Sequence, residues 1–208
     1  MLLRPVDAGA DADALYRVSH PPAGDPSIWT YLFDGPFADV AALRERLRVA
    51  EASEDPLFFT IVRLPQEQPQ GAASYLRVVP EHGVIEIGNI WFGTPLQRTR
   101  AATEAIFLLV RHVFDDLGYR RLEWKCNALN MPSRRAAARF GFTFEGIFRR
   151  HLVIKDRNRD TAWYSIIDEE WPAVRAGFEA WLDPQNFDAR GVQVTSLGDL
   201  IRRLPGAG

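Results

Sequence analysis

The chain has 208 residues, 47% of them hydrophobic, with 25 basic side chains against 27 acidic ones and a formal net charge of −2. That length and apolar content suit one ordinary core, and the near-balanced charge gives no general pull toward nucleic acid. The single cysteine, Cys126, excludes an internal disulfide and any CxxC metal or redox site. No window approaches the ~18 consecutive apolar residues of a membrane span. The opening MLLRPVDAGADAD has no long apolar run either, so no secretory signal is expected. The expected setting is soluble and cytoplasmic, with no metal, no nucleic acid and no membrane partner.

Leu2 to Pro5 forms a short strand, and the segment from Asp11 to Val18 has helical character with acidic residues in its first turn. A Pro/Gly-rich connection from His20 to Asp25 follows. Phe37 to Ser53 sets Val40, Leu43, Leu47 and Ala50 at helical intervals among Arg and Glu residues, which predicts an amphipathic surface helix. Leu57 to Leu64 predicts a strand ending at the turn Pro65-Gln-Glu-Gln-Pro. Ala72 to Val79 and Val84 to Phe92 predict two more, joined by Pro80-Glu-His-Gly. A helix from about Arg98 to Leu117 is closed by Gly118. A strand from Leu122 to Cys126 follows, then a short helix from Pro132 to Phe140 with Gly141 at its end. Phe144 to Ile154 and Thr161 to Ile167 flank a polar hairpin tip, Lys155-Asp-Arg-Asn-Arg-Asp. Helices from about Glu169 to Leu182 and near Leu197 to Leu204 complete the chain.

This order predicts an α+β fold: a mixed, mostly antiparallel sheet of about seven strands flanked by helices, with one central β-α-β crossover. Residues 1–182 read as a single domain and residues 183–208 as a C-terminal extension with a short helix.

The chemistry-bearing segment runs from Trp91 through Gly93-Thr-Pro-Leu-Gln-Arg-Thr-Arg to Ala105. A strand enters a helix through a short polar loop, so amides without internal partners and the positive end of the helix dipole face any anion there. Taken alone, this is also compatible with an ordinary βα turn whose Arg98 and Arg100 face water.

Three pieces in register resolve the ambiguity: Gln97-x-x-Arg100-x-Ala102-Thr103-Glu104-Ala105, Asn130-x-x-Ser133, and Phe140-Gly141-Phe142-Thr143-Phe144-Glu145-Gly146. Together they resemble the RimJ/RimL-like branch of the GNAT acetyltransferases over roughly Leu57 to Trp171. One departure stands at Arg100, where the family carries the first loop glycine. The resemblance implies an enzyme, an acyltransferase taking acetyl-coenzyme A as donor. It implies that the backbone of Ile90, Trp91 and Phe92 pairs with the pantetheine arm. The loop formed by Gln97, Arg98, Thr99, Arg100, Ala101, Ala102 and Thr103 would hold the pyrophosphate, and Asn130 and Ser133 would contact the coenzyme near its thiol. Asn130 equally suits a helix N-cap, and Ser133 a capping or solvent-facing role.

Acyl transfer to an amine needs an uncharged nucleophile, a polarised carbonyl and a proton for the leaving thiolate. Glu86 is the candidate general base, because partial burial among apolar strand residues raises a carboxyl pKa toward neutrality. The alternative for Glu86 is an outward-facing strand residue in a plain ion pair. It stands eleven residues before Gln97, close to where GNAT enzymes often carry a glutamate. The tyrosine acid many of them carry seven residues after the Asn is replaced by Ala137. Ser133 is the remaining proton-donor candidate, and backbone near Trp91 the candidate carbonyl polariser. His151 and Asp160 are runner-up bases, and Cys126 reads as a buried apolar residue. Trp29, Tyr31, His151, Asp160 and Trp163 are candidates for lining the acceptor pocket. The expected function is direct transfer to a primary amine in a ternary complex, the acceptor a protein N-terminus or a small amine. A coenzyme A-binding sensor without turnover stays open as the alternative, as does a homodimer.

Overall fold

The computed structural model describes residues 1–203. Its seven strands are β1 (Leu2–Pro5), β2 (Leu57–Arg63), β3 (Gln68–Val79), β4 (Val84–Phe92), β5 (Arg121–Asn127), β6 (Thr143–Ile154) and β7 (Arg157–Ile167). They follow the order β1-β2-β3-β4-β5-β7-β6 in one mostly antiparallel sheet, and helices flank it in the expected α+β arrangement. The described residues group into two compact units. One is Met1–Val78 with Glu86–Leu108; the other is Val79–Ile85 with the residues from Leu109 on.

In the first unit, aspartates fix where helices begin. Asp7 Oδ1 accepts from the Ala10 amide at 2.9 Å and starts α1 (Ala8–Ser19). Asp39 Oδ1 accepts from the Ala42 amide at 2.8 Å and starts α2 (Val40–Glu51), three residues later than Phe37, because the cap satisfies an otherwise orphaned amide there. The apolar stripes of both helices bury Ala12, Leu15, Leu43 and Leu47 against Val6, Trp29, Ala72 and Trp91. The fully buried Asp11 carboxylate is satisfied by Arg4, by Thr60 Oγ1 at 2.6 Å and by the Asp7 amide at 3.0 Å.

His20 ends α1 and ties it to the following loop. Ser19 Oγ donates to the Leu15 carbonyl at 2.7 Å, so at 2.9 Å it accepts from His20 Nδ1. The other ring nitrogen, Nε2, accepts from the Phe37 amide at 3.1 Å. Both bonds belong to the neutral imidazole, and burial pushes the His20 pKa below its ordinary value against an opposing backbone bond from Tyr16.

Strand β3 begins at Gln68, earlier than the expected Ala72. Its Pro69 lies opposite Val62, where the β2–β3 register shifts, and a residue without an N–H is tolerated at such an irregularity.

The central helix α3 (Arg100–Arg111) starts two residues later than expected and passes into a wider π-type turn, His112–Asp116. In the second unit that turn ends with Leu117 N donating to His112 O at 3.0 Å and left-handed Gly118 at φ 66°. The hairpin tip between β6 and β7 is only Lys155-Asp156, both left-handed at φ 50° and 58°, as a tight two-residue turn requires. Arg157 to Asp160, expected in the tip, belong to β7.

Helix α4 (Met131–Arg139) ends at left-handed Gly141 (φ 87°). The core of this unit stacks Phe114 on Trp171 and Phe140 on Phe178, with Trp124 edge-on to Phe142. Residues beyond α5 (Trp171–Leu182) pack back on it. A Cβ on Gly177 would stand 2.5 Å from Ile201 of α6 (Leu197–Arg202), so the glycine permits the close approach. Leu204, expected in that last helix, lies outside the described residues. Among the described residues, no helix is long and apolar enough to cross a membrane, and no cluster of metal-type ligands occurs.

Candidate active site

In the first unit, β4 carries Glu86, Ile90, Trp91 and Phe92. Glu86 is 5% exposed, and its Oε2 lies 3.1 Å from Arg77 Nη1 of β3. The residue is therefore buried, as a base candidate should be, and ion-paired without facing outward. Three positions on, Asn89 is left-handed at φ 50°, and its Nδ2 donates to Ser74 Oγ at 2.9 Å while that hydroxyl reaches the Gly88 carbonyl at 3.2 Å. This kink interrupts the pleat of β4 between Glu86 and Trp91. Sequence reasoning missed it, although Gly88-Asn89 inside an apolar run was its signal. Beyond the kink β4 is held close to β3: a Cβ on Gly71 would stand 2.5 Å from the Trp91 carbonyl oxygen, and Gly93 N donates to Gln70 O at 2.7 Å.

The loop after β4 is braced from within. Gln97 Nε2 donates to the Phe92 carbonyl at 2.9 Å, so the first residue of the loop motif clamps the strand end. Thr99 caps α3: its Oγ1 accepts from Ala102 N at 3.1 Å, and its carbonyl from Thr103 N at 3.4 Å. Thr99 N itself donates to Leu96 O at 3.4 Å. Of the loop amides from Arg98 to Thr103 expected to hold the pyrophosphate, some have acceptors within the chain. Thr99 donates its amide to Leu96 and Ala102 and Thr103 donate theirs to the Thr99 cap, while the Arg98 and Ala101 amides have no acceptor among the described residues. The left-handed residue is Arg98 (φ 60°), while Arg100 opens the helix in ordinary helical conformation. A glycine at position 100 is thus not needed for backbone conformation. Exposed guanidinium groups at Arg98 and Arg100 beside the positive end of a twelve-residue helix suit an anion such as a pyrophosphate.

In the second unit Asn130 is the N-cap of α4: its Oδ1 accepts from Ser133 N at 3.1 Å. Ser133 is half-buried, and Trp124 Nε1 of β5 donates to its Oγ at 3.0 Å. Cys126 is buried; burial pushes its thiol pKa up, with the Ser133 hydroxyl and the charges of Arg159 and Arg134 opposing. A neutral thiol is a poor nucleophile, as the sequence implied.

The acceptor-pocket candidates fall in different places. Trp29 is a core residue of the first unit, 5.0 Å from Trp91 between ring centres. Both line a small aromatic cavity of about 50 Å³ with Phe33, Phe37, Phe58 and Asn89. Tyr31 is half-buried and not part of that lining. In the second unit Trp163 is packed between Phe148, stacked at 4.4 Å, and the Lys125 ammonium 3.9 Å from its ring centre, a wall more than an opening. His151 Nδ1 lies 3.0 Å from Thr161 Oγ1. Asp160 Oδ1 accepts from Arg150 N at 2.7 Å and Asn158 Nδ2 at 2.9 Å, bonds that hold its carboxyl below the usual range and give it a structural task.

Comparison with known proteins decides what this arrangement belongs to. A family model described as an acetyltransferase (GNAT) domain matches residues 1–143. The chain belongs to the GNAT acetyltransferase family. A crystal structure of a GCN5-related N-acetyltransferase from Brucella melitensis is 47% identical to it, with a TM-score of 0.91 over 96% of this chain and 90% of that one. The uncharacterised N-acetyltransferase p20 of Bacillus licheniformis is 25% identical over 77% of this chain and 89% of its own length. YnaD of Bacillus subtilis, another uncharacterised N-acetyltransferase, is 24% identical over 77% and 90%. The family match reaches back to β1, before Leu57 where the resemblance read from the sequence begins.

Proposed function

We propose that this GNAT acetyltransferase moves an acetyl group from acetyl-coenzyme A directly to a primary amine, in a reducing cytoplasm and in the manner of the RimJ/RimL-like branch. The observation that carries the proposal is the succession along one strand: a buried Glu86, the left-handed Asn89, and a helix-start loop with anion-suited amides. Arg98, Arg100 and the Ala101 amide bind the pyrophosphate, and the backbone of Ile90 to Phe92 pairs with the extended pantetheine arm as an added strand. Backbone N–H near the kink polarises the thioester carbonyl. Asn89 lies about 10 Å along the strand from Glu86, so Glu86 takes the amine proton through a water. In the second unit, Asn130 caps α4 and holds the Ser133 backbone. The acceptor is a protein N-terminus or a small amine.

Calorimetric titration with acetyl-coenzyme A, followed by free-thiol release across a panel of amines and N-terminal peptides, tests the reading. Saturable binding and thiol release with at least one amine are expected. Glu86→Gln should lower kcat by about 100-fold or more, the scale of general-base catalysis, while leaving coenzyme binding intact. Unchanged turnover removes Glu86 from the mechanism. Binding without thiol release from any amine replaces the enzyme reading with that of a sensor.

A further inference from the structure

The first unit holds a cavity that its own core does not fill. About 50 Å³ lies beside Trp29 and Trp91, lined inside by buried Leu43, Leu47 and Ala72. The lining also reaches the surface: Phe33 is 52% exposed, and Asp34 and Asn89 are half-buried. The space therefore has a mouth. Its wall is also formed in advance. Gly35 is left-handed at φ 67°, and a Cβ there would stand 2.7 Å from Trp29 Cδ2, so the loop lies directly on the indole. Phe37 packs edge-on to the same ring at 5.1 Å.

The lining selects its guest by charge, size and hydrogen bonding. The Arg46 guanidinium already lies 5.0 Å from the centre of the Phe58 ring, and its Nε donates to Asp34 Oδ2. An ammonium entering this space would meet that guanidinium, whereas a neutral apolar group buries itself without penalty. A cavity of about 150 Å³ holds a benzene ring, so one of about 50 Å³ holds about two carbons. At the mouth, Asn89 commits its Nδ2 to Ser74 Oγ at 2.9 Å. This leaves Oδ1, an acceptor with no donor among the described residues. An acceptor oxygen there matches the N–H of an amine, and the acyl group of a thioester has no N–H to offer.

We infer that this cavity is the specificity pocket for the acetyl acceptor: it takes a neutral aliphatic branch of about two carbons next to the amine, while Asn89 Oδ1 receives an N–H of that amine. It rests on the function proposed above, which brings the acyl group to the β4 kink at Asn89, and every residue it uses belongs to the first unit. The acceptor class is an α-amine with a compact aliphatic side chain. Aromatic side chains are too large, and polyamines carry a charge the pocket rejects.

Thiol release from acetyl-coenzyme A tests this with tetrapeptides that differ only in their first residue. From glycyl through alanyl to 2-aminobutyryl, kcat/KM should rise about fourfold per carbon. The phenylalanyl and 2,4-diaminobutyryl peptides should fall at least tenfold below the best. Ala72→Val, which fills the pocket from inside, should flatten the rise. Phe33→Ala changes an exposed residue and so spares folding; it should bring the phenylalanyl peptide to within about threefold of the best. Asn89→Gly keeps the left-handed backbone and deletes Oδ1, so acceptor KM should rise about fivefold with acetyl-coenzyme A affinity unchanged by calorimetry.

A flat peptide series in an enzyme that turns over, or an order that both pocket variants leave intact, overturns the inference alone. So does a chain-length order that appears among acetyl-, propionyl- and butyryl-coenzyme A instead, which assigns the cavity to the acyl group. An unchanged acceptor KM in Asn89→Gly removes the amine contact. Failure of acetyl-coenzyme A to bind, or of any amine to release thiol, removes the proposed function and this inference with it.

Discussion

The contact between Gly71 and the Trp91 carbonyl offers a direct way to move the strand proposed to receive the pantetheine. In Gly71→Ala the new methyl would lie 2.5 Å from the Trp91 oxygen and 3.3 Å from Phe92 Cα. A relaxed carbon–oxygen contact is about 3.3 Å, so β3 and β4 must part by about 0.8 Å at this point. Both clashing atoms are backbone, so no rotamer change relieves them. Overpacking of this kind costs about 1–3 kcal/mol, or about 2–4 °C in Tm for each kcal/mol in a chain of this size. The same shift stretches a 2.9 Å hydrogen bond from Ile90 or Phe92 beyond useful range. Losing one or two such bonds weakens acetyl-coenzyme A binding by about ten- to a hundredfold. Calorimetry at a temperature where the variant is fully folded separates this loss from unfolding. Gly9→Ala, which meets only Asp7 Oδ1 at 3.3 Å, serves as the control with unchanged affinity. A Gly71→Ala protein that is folded, destabilised, and binds the coenzyme within twofold of wild type would refute pairing along β4.

Two further outcomes separate stability from binding. Arg98→Gly relieves a left-handed non-glycine residue, so thermal unfolding should show a gain of about 1 kcal/mol, while acetyl-coenzyme A affinity falls as the guanidinium is lost; a variant that binds as well as wild type removes Arg98 from the pyrophosphate site. His20 should make folding pH-dependent. Its folded pKa lies below the ordinary 6.5, so the unfolded chain binds more protons once pH falls below that value and stability declines toward acid, by at most about 1.4 kcal/mol per pH unit. Urea unfolding of wild type and His20→Gln between pH 8 and pH 5 should give curves that converge on the acid side, and parallel curves would contradict the neutral-imidazole assignment.

The elements legible in the sequence were those whose pattern is local. Apolar and β-branched runs between turn signals marked all seven strands, and Asn130 with Pro132 marked the start of α4 within a residue. What stayed hidden depends on long-range partners. Asn89 adopts φ 50° with its side chain held by Ser74, fifteen residues away; Gly88-Asn89 hints at an irregularity, but the partner that fixes it is long-range. Gln68 to Gln70 continue β3 because Val62 and Arg63 are there to pair with them, against the turn signal of the two prolines. Asp160, whose position after a polar run suggested a turn, is ordered by the amide of Arg150. In the candidate site, the motif residues were readable by resemblance, but their division of labour was not. That Thr99 consumes the Ala102 and Thr103 amides, that Gln97 clamps Phe92, and that Trp124 supports Ser133 are facts of tertiary placement.

The Asp160 junction has a consequence for how this enzyme can diversify. Between Phe148 and Leu152, three residues of β6, Arg149 to His151, face one residue of β7. The side chain of that residue holds the Arg150 amide, and its carbonyl holds the Ala128 amide at 2.8 Å, at the approach to Asn130. The three-residue swelling is thus tethered through a main-chain N–H, which any non-proline residue supplies. Exchange there is easiest at Arg149, because Arg150 is left-handed at φ 52° and His151 is bonded to Thr161, while the segment leading to Asn130 and Ser133 keeps its place.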